Sequence, residues 1–353
     1  MKSYNVVLLE GDGIGPEIVR QAKKVLDRVS KEHGFSINYY YGDIGGCSID
    51  KYGVPLTDEV LYKCRNSDAV LLGAVGGETW NSLLEEIRPE AGLLRLRKDL
   101  GLFANLRHIK IYDGLRSISP IRHCADDIMI VRELIGGIYF GKKYHTDTGA
   151  YDVEEYSRSE IERVARVAFE TAKTRKKRLC SVDKANVLST SRLWREVVEQ
   201  VSEDYPDVEV TNMYVDNCAM QLVLCPEQFD VILTSNMFGD ILSDEAAVLS
   251  GSIGMIPSAS LGQNRLGLYE SIHGSAPQIA GKNLANPIAT ILSAAMMLRH
   301  SFYQEDAAVS IESSVSRAIK RYRTVDIYSE GAQKVTCEEM GNIICEVYNS
   351  SLE

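Results

Sequence analysis

The feature that most constrains the fold is an alternation of short, uniformly apolar runs with segments of helical periodicity. Tyr4–Leu9, Ala69–Val75 and Phe229–Thr234 are apolar without polar alternation, which is typical of parallel strands covered on both faces. After the first run, apolar residues recur at helical spacing from Ile18 to Val29, until Gly34. A strand followed by a helix is the repeating unit of α/β proteins, so the sequence predicts an α/β fold.

Two helices and an arm are predicted in the middle of the chain. Ser157–Lys173 begins with the S-x-x-E pattern of a capping box, and Ser191–Tyr205 also has helical spacing. Gly136–Tyr156 is rich in Gly, Tyr and Thr and has little helical spacing, which favours an antiparallel arm. The basic run Lys173–Arg178 ends a helix, where solvated cations complement the helix dipole.

Length and charge limit the classes of function. A chain of 353 residues favours two domains. With 39 Lys and Arg against 49 Asp and Glu, the net charge of −10 argues against nucleic-acid or anionic-membrane partners. No apolar run reaches the roughly 20 residues of a membrane span, and the apolar N-terminal stretch is too short for a signal peptide, so we expect a cytoplasmic protein. Eight scattered cysteines without a C-x-x-C pair favour reduced, structural thiols.

A glycine-rich segment, Gly11–Glu17 (GDGIGPE), follows the first strand and opens a helix near Pro16. Its glycines would let backbone N–H groups approach a ligand, and proline suits a helix start. The segment departs from the G-x-G-x-x-G dinucleotide pattern, since proline occupies the place of the third glycine. A tight turn and a ligand-binding loop are equally compatible with it.

Charged residues suggest two further sites. Three arginines, Arg97, Arg107 and Arg132, would suit a substrate with two or more carboxylates if they converge, although surface salt bridges would also explain them. Asp240 and Asp244 lie one helical turn apart, where their repulsion favours a divalent cation with oxygen ligands. Two solvated acids near a helix start are the alternative.

Two more segments carry residues that could take part in chemistry. Lys184 follows a strand and, near carboxylates or a metal, could act as a base, while Tyr139 in the arm could return a proton as an acid. Most lysines are only solvated. The loop His273–Gly281, with Asn286 beyond it, could wrap a nucleotide or merely connect two elements.

Taken together, these segments resemble the isocitrate/isopropylmalate dehydrogenase family of β-decarboxylating dehydrogenases. The similarity runs nearly end to end through the following segments: 11–17, 88–94, 103–107, Arg132 with 136–141, 182–188, 214–217, 236–245, 258–261 and 273–277. It implies a homodimer with an open α/β sheet that is not a Rossmann fold. One domain would consist of both chain ends, residues 1–98 and 252–353. The other, residues 99–251, would carry metal and dimer-interface residues and an interlocking antiparallel arm.

The resemblance also implies a reaction: NAD-dependent oxidation and decarboxylation of (2R,3S)-3-isopropylmalate to 4-methyl-2-oxopentanoate and CO2, in leucine biosynthesis. By resemblance, the substrate carboxylates are bound by Arg97, Arg107 and Arg132. One Mg or Mn ion per site is held by Asp240, Asp244 and, from the other protomer, Asp216, which also contacts the substrate. Lys184, likewise from the other protomer, takes the hydroxyl proton, and Tyr139 protonates the enol left after decarboxylation. A bound metal would stabilise the negative charge that develops on oxygen.

Within the family, the segment before Arg97 distinguishes substrates. Here it contains Glu90, Leu93 and Leu94, so an isopropyl group would pack against the leucines and against Val187 of the other protomer. A third carboxylate would be left uncompensated there, at a high cost. By resemblance, isopropylmalate is favoured over isocitrate, homoisocitrate, D-malate and tartrate. A non-catalytic regulatory homologue is disfavoured, because the catalytic and metal positions are kept.

The cofactor positions implied by resemblance are Gly76, Gly77, Glu90, His273, Gly274, Ser275, Ala276, Pro277, Gln278, Ile279 and Asn286. Gln278 departs from the family, whose NAD-specific pattern has an aspartate that accepts from the adenosine ribose hydroxyls. Ile279 replaces the tyrosine of the NADP-using pattern, so NAD is still expected. Ser271 replaces a proline, and 77–80 (GETW) replaces Gly-Pro-Lys-Trp; both changes are expected to weaken cofactor affinity.

Overall fold

The structure is a computed structural model, and it describes residues 2–121 and 125–349. Its strands are β1 Lys2–Gly11, β2 Phe35–Gly42, β3 Ala69–Ala74, β4 Ala104–Lys110, β5 Asp127–Glu133, β6 Lys143–Thr146, β7 Gly149–Asp152, β8 Arg178–Asp183, β9 Glu209–Tyr214, β10 Val231–Thr234, β11 Pro257–Leu261, β12 Gly267–Ser271, β13 Tyr322–Arg323 and β14 Gln333–Lys334. Its helices are α1 Gly15–Glu32, α2 Gly46–Tyr52, α3 Asp58–Arg65, α4 Pro89–Asp99, α5 Arg158–Lys173, α6 Ser189–Ser202, α7 Val215–Leu224, α8 Asn236–Ala247, α9 Ile288–His300, α10 Glu305–Ala318 and α11 Cys337–Asn349.

Ten of the described strands form one sheet, in the order β2-β1-β3-β12-β11-β4-β5-β10-β8-β9. The pairs at both ends of this order are parallel, whereas β12, β11, β4 and β5 pair antiparallel with one another. The α/β prediction is confirmed. The prediction of parallel strands holds for β1, β3 and β10, but the antiparallel centre had no counterpart in the apolar pattern.

The burial of the strands and of α9 agrees with their apolar sequences. Every residue of β3 is buried, as are Val6–Leu9 of β1 and all of β10. Helix α9 is buried all around from Ile288 to Leu298, which accounts for the apolar stretch in this part of the sequence. Among the described helices, none is both long and apolar enough to cross a membrane.

Two local predictions for the middle of the chain are confirmed. Ser157 caps α5: its hydroxyl accepts from the Glu160 N–H, and the Glu160 carboxylate accepts from the Ser157 N–H, so the capping box is complete. Strands β6 and β7 pair antiparallel with exposed side chains, as expected of an arm. The seven described cysteines are free thiols, and Cys124 lies outside the described residues. The division into two domains stays a prediction.

Candidate active site

A cavity of about 390 Å³ is lined by residues of the central strands β3, β4, β5, β11 and β12 and of helices α4 and α8. It brings together ten of the predicted site residues, which are Glu90, Leu93, Leu94, Arg97, Arg107, Arg132, Tyr139, Asp240, His273 and Gly274. These residues come from segments that are far apart in the sequence. The antiparallel centre of the sheet is what makes β4, β5 and β12 neighbours here.

Arg107 and Arg132 converge on one carboxylate. Arg107 Nη2 lies 3.2 Å from Asp240 Oδ1, and Arg132 Nη1 donates to the same oxygen. Both arginines are buried. Burial alone would raise the pKa of Asp240, but the two guanidinium groups outweigh it and hold that pKa below its usual value. Simple surface salt bridging therefore does not describe this pair of arginines.

Neutral partners hold the two guanidinium groups in place. Arg107 donates to Asn105 Oδ1 at 2.8 Å and to Ser243 Oγ at 2.6 Å. Arg132 donates twice to Asn236 Oδ1, at 3.0 and 2.8 Å. Gly239 leaves room for this arrangement, because a Cβ there would lie 2.7 Å from Arg132 Cγ. Fixed guanidinium planes lose little freedom when they bind a carboxylate.

The third predicted arginine has a different partner. Arg97 Nη2 donates to Glu270 Oε1 at 2.7 Å, and both side chains are largely buried. Glu270 lies on β12 and was not identified from the sequence. The sequence did not indicate this ion pair, because it forms only where the sheet places β12 beside the end of α4.

Tyr139 lies at the base of the arm and faces the arginines. Its hydroxyl donates to Asp240 Oδ2 at 3.0 Å, and the Arg132 guanidinium lies 5.8 Å from its ring centre. Burial and the neighbouring Asp240 carboxylate raise the pKa of Tyr139, so the phenol carries its proton at neutral pH.

A buried carboxylate anchors the loop that leads to Tyr139. Glu133 accepts from the N–H of Ile135 at 3.1 Å and of Gly136 at 2.8 Å, at zero exposure. Burial outweighs these bonds and raises the pKa of Glu133 to about 7. The sequence reasoning missed Glu133, although an acid next to a buried-strand arginine and before two glycines was a usable signal.

Asp240 and Asp244 lie on α8, one turn apart, as predicted. Arg107 Nη1 lies 3.4 Å from Asp244 Oδ1, so arginine supplies part of the positive charge that relieves their repulsion. Asp244 is the more exposed of the two, and burial raises its pKa. Among the described residues of this chain, no group of three or more Asp, Glu, His or Cys side chains could hold a metal ion. Asp240 and Asp244 supply two carboxylates, and the resemblance assigns the third, Asp216, to the other protomer.

Lys184, Asp216 and Val187 do not line this cavity. Lys184 Nζ instead lies 2.6 Å from Asp216 Oδ1. Lys184 is half-buried, whereas Asp216 is exposed, as is Val187 at 63%. Their position on the outer surface is compatible with the expectation that they act in the site of another protomer.

A second cavity, of about 370 Å³, shares His273 and Gly274 with the first. Of the predicted cofactor residues it also contains Ala276, Gln278, Ile279 and Asn286. His273 Nδ1 lies 2.9 Å from the Gly274 carbonyl, and burial lowers the pKa of the imidazole, which is neutral at pH 7. The two cavities adjoin at the loop that carries His273 and Gly274. This arrangement suits two ligands that react with each other.

Comparison with known proteins agrees with this geometry. The family model described as isocitrate/isopropylmalate dehydrogenase matches residues 5–344. The chain belongs to the isocitrate/isopropylmalate dehydrogenase family. Among curated members, the 3-isopropylmalate dehydrogenase of Wolinella succinogenes is 55% identical over 98% of both chains, and that of Clostridium acetobutylicum is 54% identical over 98% of this chain and 99% of its own.

Solved structures of the family have the same fold. The isocitrate dehydrogenase of Methylococcus capsulatus superposes with a TM-score of 0.88 at 33% identity, covering 98% of this chain and 99% of its own. A β-decarboxylating dehydrogenase of Thermococcus kodakarensis gives 0.82 at 37% identity, covering 99% and 97%. The predicted open α/β sheet of this family, as opposed to a Rossmann fold, is confirmed.

In this family member, the glycine-rich turn holds other loops in place. The Asp12 carboxylate accepts from the N–H groups of Gly46, Cys47 and Gly76 at 2.8 to 2.9 Å. Ile14 N–H donates to the Ser275 carbonyl at 2.8 Å, and Ser275 Oγ donates to the Gly76 carbonyl at 2.7 Å. Ser275 and Gly76 are thus tied together behind the second cavity.

The close approach of this turn to Ser275 requires glycine at position 13. A Cβ at Gly13 would lie 2.0 Å from the Ser275 carbonyl oxygen, and Gly13 has φ +57°. Glu17 extends the contact, because its carboxylate accepts from the Gly281 N–H at the far end of the same loop. The sequence left a tight turn and a ligand-binding loop open for the glycine-rich segment, and these contacts are those of a tight turn. Ile14 of the same segment also lines the second cavity.

Besides Glu270, sequence reasoning missed further charged residues that line the two cavities. Lys143 lines the first cavity and pairs with Glu85, which links the arm to the segment before α4. Ser271, noted only as a departure from the family, also lines the first cavity. Asp326 lines the second cavity, and no motif in the sequence pointed to it.

Proposed function

We propose that this protein is an NAD-dependent enzyme that oxidises and decarboxylates 3-isopropylmalate in leucine biosynthesis. The observation that carries the proposal is the first cavity, in which three largely buried arginines face Tyr139 and two leucines. Curated relatives named 3-isopropylmalate dehydrogenase, at 54 to 56% identity over nearly the whole chain, support the same conclusion.

The arginines favour a dicarboxylate substrate. Guanidinium groups held by Asn105 and Asn236 present fixed N–H donors to carboxylates. Leu93 and Leu94 provide apolar contact for an isopropyl group beside Arg97. A third carboxylate against these leucines would have to be desolvated without a partner, which disfavours isocitrate and homoisocitrate.

Residues on both cavities are suited to hold the cofactors of the family. Asp240 and Asp244 offer hard oxygen ligands for Mg or Mn, and Asp216 of a second protomer would complete the set. The loop from His273 to Ile279, with Asn286, Gly76, Gly77 and Glu90, would hold NAD. When bound, NAD supplies the hydride acceptor and the metal a Lewis acid.

Two residues of the chain would move protons. Lys184 of the second protomer would take the proton from the substrate hydroxyl as the hydroxyl carbon is oxidised. Tyr139, which carries its proton at neutral pH, would donate it to the carbon of the enol after CO2 leaves. Arg132, 5.8 Å from the tyrosine ring, would hold a substrate carboxylate near this acid.

A homodimer is part of the proposal. Apolar side chains of α7, of the middle of α8 and of the residue after α8 are exposed at 40% or more, namely Met220, Val223, Leu224, Ile241 and Val248. Val187 and Asp216 are exposed as well and Lys184 is half-buried, so the same three residues of a second copy would be contributed to the first cavity if that copy covered this surface. We further propose the division into domains 1–98 with 252–353, and 99–251.

One set of assays tests the proposal. Reduction of NAD and of NADP is measured with isopropylmalate, isocitrate and D-malate, each with and without Mn, and the mass in solution is measured by light scattering. We expect metal-dependent NADH formation with isopropylmalate, and a dimer. Greater efficiency with isocitrate or D-malate would select the related dehydrogenase, and no turnover with any substrate would select a non-catalytic homologue.

A further inference from the structure

The amide of Asn236 lies behind the first cavity, next to one of its arginines. Asn236 is the first residue of α8, is 1% exposed and does not belong to the described lining of the cavity. Strand β10 pairs in parallel with β5, with Thr234 opposite Arg132, so the chain enters α8 beside this arginine. The register of the sheet therefore places Asn236 against Arg132.

Both polar atoms of this side chain have partners. Oδ1 accepts from Nε and Nη2 of Arg132 at 3.0 and 2.8 Å, and Nδ2 donates to the Gly136 carbonyl at 3.0 Å. Because arginine can only donate and a carbonyl can only accept, these partners determine which end of the amide faces which. One buried side chain thus connects Arg132 to the loop that carries Tyr139.

Other buried groups hold the same loop. The Gly136 N–H donates to the Glu133 carboxylate at 2.8 Å, so both backbone polar groups of Gly136 are bonded. Gly137 has φ +70°, and a Cβ there would overlap the hydroxyl of Tyr156, which accepts from the first N–H of α8 at 3.0 Å. Two consecutive glycines would by themselves leave this backbone with many conformations. The buried contacts therefore fix the backbone that leads to the tyrosine of the first cavity.

A neutral partner suits the position beside Arg132. Arg132 also donates to Asp240, and that carboxylate offsets part of the charge of the arginine. Asn236 fixes the guanidinium plane without adding a second negative charge, so positive charge remains for a substrate carboxylate. Asn236 would also still hold Arg132 when Asp240 binds a metal ion.

We propose that Asn236 is a positioning residue, which holds Arg132 and the loop of the acid Tyr139 in one fixed relation. The proposal rests on the proposed function, because Arg132 and Tyr139 take their roles from it. Displacement of a reacting group by about 1 Å can cost about 100-fold in rate, so a residue that touches neither substrate nor reacting atoms can still control turnover. Loss of the amide would displace both groups and would therefore change both KM and kcat.

The test compares Asn236→Ala with Asn105→Ala in steady-state and single-turnover kinetics with isopropylmalate, at saturating Mn and NAD. Asn105 is the matched control, because it is also 1% exposed and its Oδ1 accepts from Arg107 at 2.8 Å. Its Nδ2 donates to Ser260 Oγ at 3.0 Å, on β11, instead of to the loop of Tyr139.

Asn236→Asp is a second variant, which keeps the shape of the side chain and so tests the proposal even where the alanine variant does not fold. The aspartate retains oxygen acceptors for Arg132 but has no N–H group for the Gly136 carbonyl. Its charge also offsets that of the arginine. We therefore expect this variant to show a raised KM and a lowered kcat as well.

We expect Asn236→Ala to raise KM for isopropylmalate about tenfold and to lower kcat about tenfold. A burst of NADH should remain at saturating substrate, because the steps that Tyr139 would catalyse follow hydride transfer. Asn105→Ala should raise KM by a similar factor and leave kcat within about twofold of the wild type. A change in KM alone in the Asn236 variants, or loss of the burst in them, would overturn the proposal.

The wild type separates this failure from failure of the proposed function. If the wild type oxidises isopropylmalate and the Asn236 variants behave like Asn105→Ala, the positioning role is wrong and the proposed function stands. If the wild type turns over none of isopropylmalate, isocitrate and D-malate, the proposed function is wrong, and the role of Asn236 is overturned with it.

Discussion

Replacing the two aspartates of α8 one at a time should separate folding from metal use. Asp240 accepts from Arg107, Arg132 and Tyr139, whereas Asp244 has only a long contact, 3.4 Å, with Arg107 and is 56% exposed. Asp240→Asn therefore leaves two buried guanidinium groups without their shared carboxylate, while Asp244→Asn leaves them nearly unchanged.

The magnitude follows from the burial of the arginines. Removing one partner of a buried ion pair costs about 3 to 5 kcal/mol, and the partial exposure of Asp240 places it at the lower end, about 3 kcal/mol. For a chain of 353 residues, with an unfolding entropy of about 2.1 cal/mol/K per residue, that cost lowers Tm by about 4 °C. Asp244→Asn should shift Tm by less than about 1 °C.

Calorimetric melting with EDTA, at one protein concentration, gives the folding effect, and Mn titration of turnover gives the metal effect. We expect both variants to need much more Mn and only Asp240→Asn to melt early. Equal melting temperatures would refute the claim that Asp240 compensates the arginines. Normal Mn dependence in Asp244→Asn, or full activity of the wild type after exhaustive chelation, would refute the proposed metal site.

Three further predictions concern proton transfer, pH and the cofactor. Lys184→Met should abolish hydride transfer even in a single turnover, whereas Tyr139→Phe should retain a burst of NADH; equal loss in both would contradict the separate roles. Ionisation of Glu133, whose pKa is raised to about 7, opposes folding, so the wild type should lose about 2 to 3 kcal/mol of stability between pH 5 and 8, as measured by denaturant unfolding. Glu133→Gln should lack this decline, and a decline of the same size in the variant would assign it to another group. Gln278→Asp should lower KM for NAD and worsen NADP use, because a carboxylate accepts more strongly from ribose hydroxyls and repels a 2′-phosphate; an unchanged ratio of kcat/KM would mean that residue 278 does not face the ribose.

Local signals in the sequence were sufficient for much of the fold. Strands β1, β3 and β10 were predictable because they are buried on both faces and lack polar alternation. The capping box at Ser157 acts over three residues, and its hydrogen bonds form as the pattern indicates. Arg107 and Arg132 were recognised as candidates from residue type and resemblance, but only the pairing of β4 with β5 shows that they share Asp240.

The missed residues all depend on contacts distant in sequence. Glu270 contacts Arg97 across 173 positions, and Asp326 contacts Asn286 and Ser252 across 40 and 74. Neither acid stands in a local pattern that predicts its partner, because each contact depends on which distant segments become neighbours in the fold. The antiparallel centre of the sheet is of the same kind, because strand direction there follows from connections and not from the apolar content of single strands.

The balance of charge in the first cavity bears on the proposed binding of substrate and metal. The described residues that line it carry four positive and three negative side chains, which are Arg97, Arg107, Arg132, Lys143, Glu90, Asp240 and Glu270. This small positive excess does not neutralise a dicarboxylate, because Asp240 and the two glutamates already offset most of the positive charge of the arginines and Lys143. A divalent cation at Asp240 and Asp244 would restore the balance once the substrate is present, and without substrate it would compete with Arg107 and Arg132 for Asp240. If the proposed metal site is correct, each ion would reduce the electrostatic cost of binding the other, and substrate and metal would bind more favourably together than either would alone.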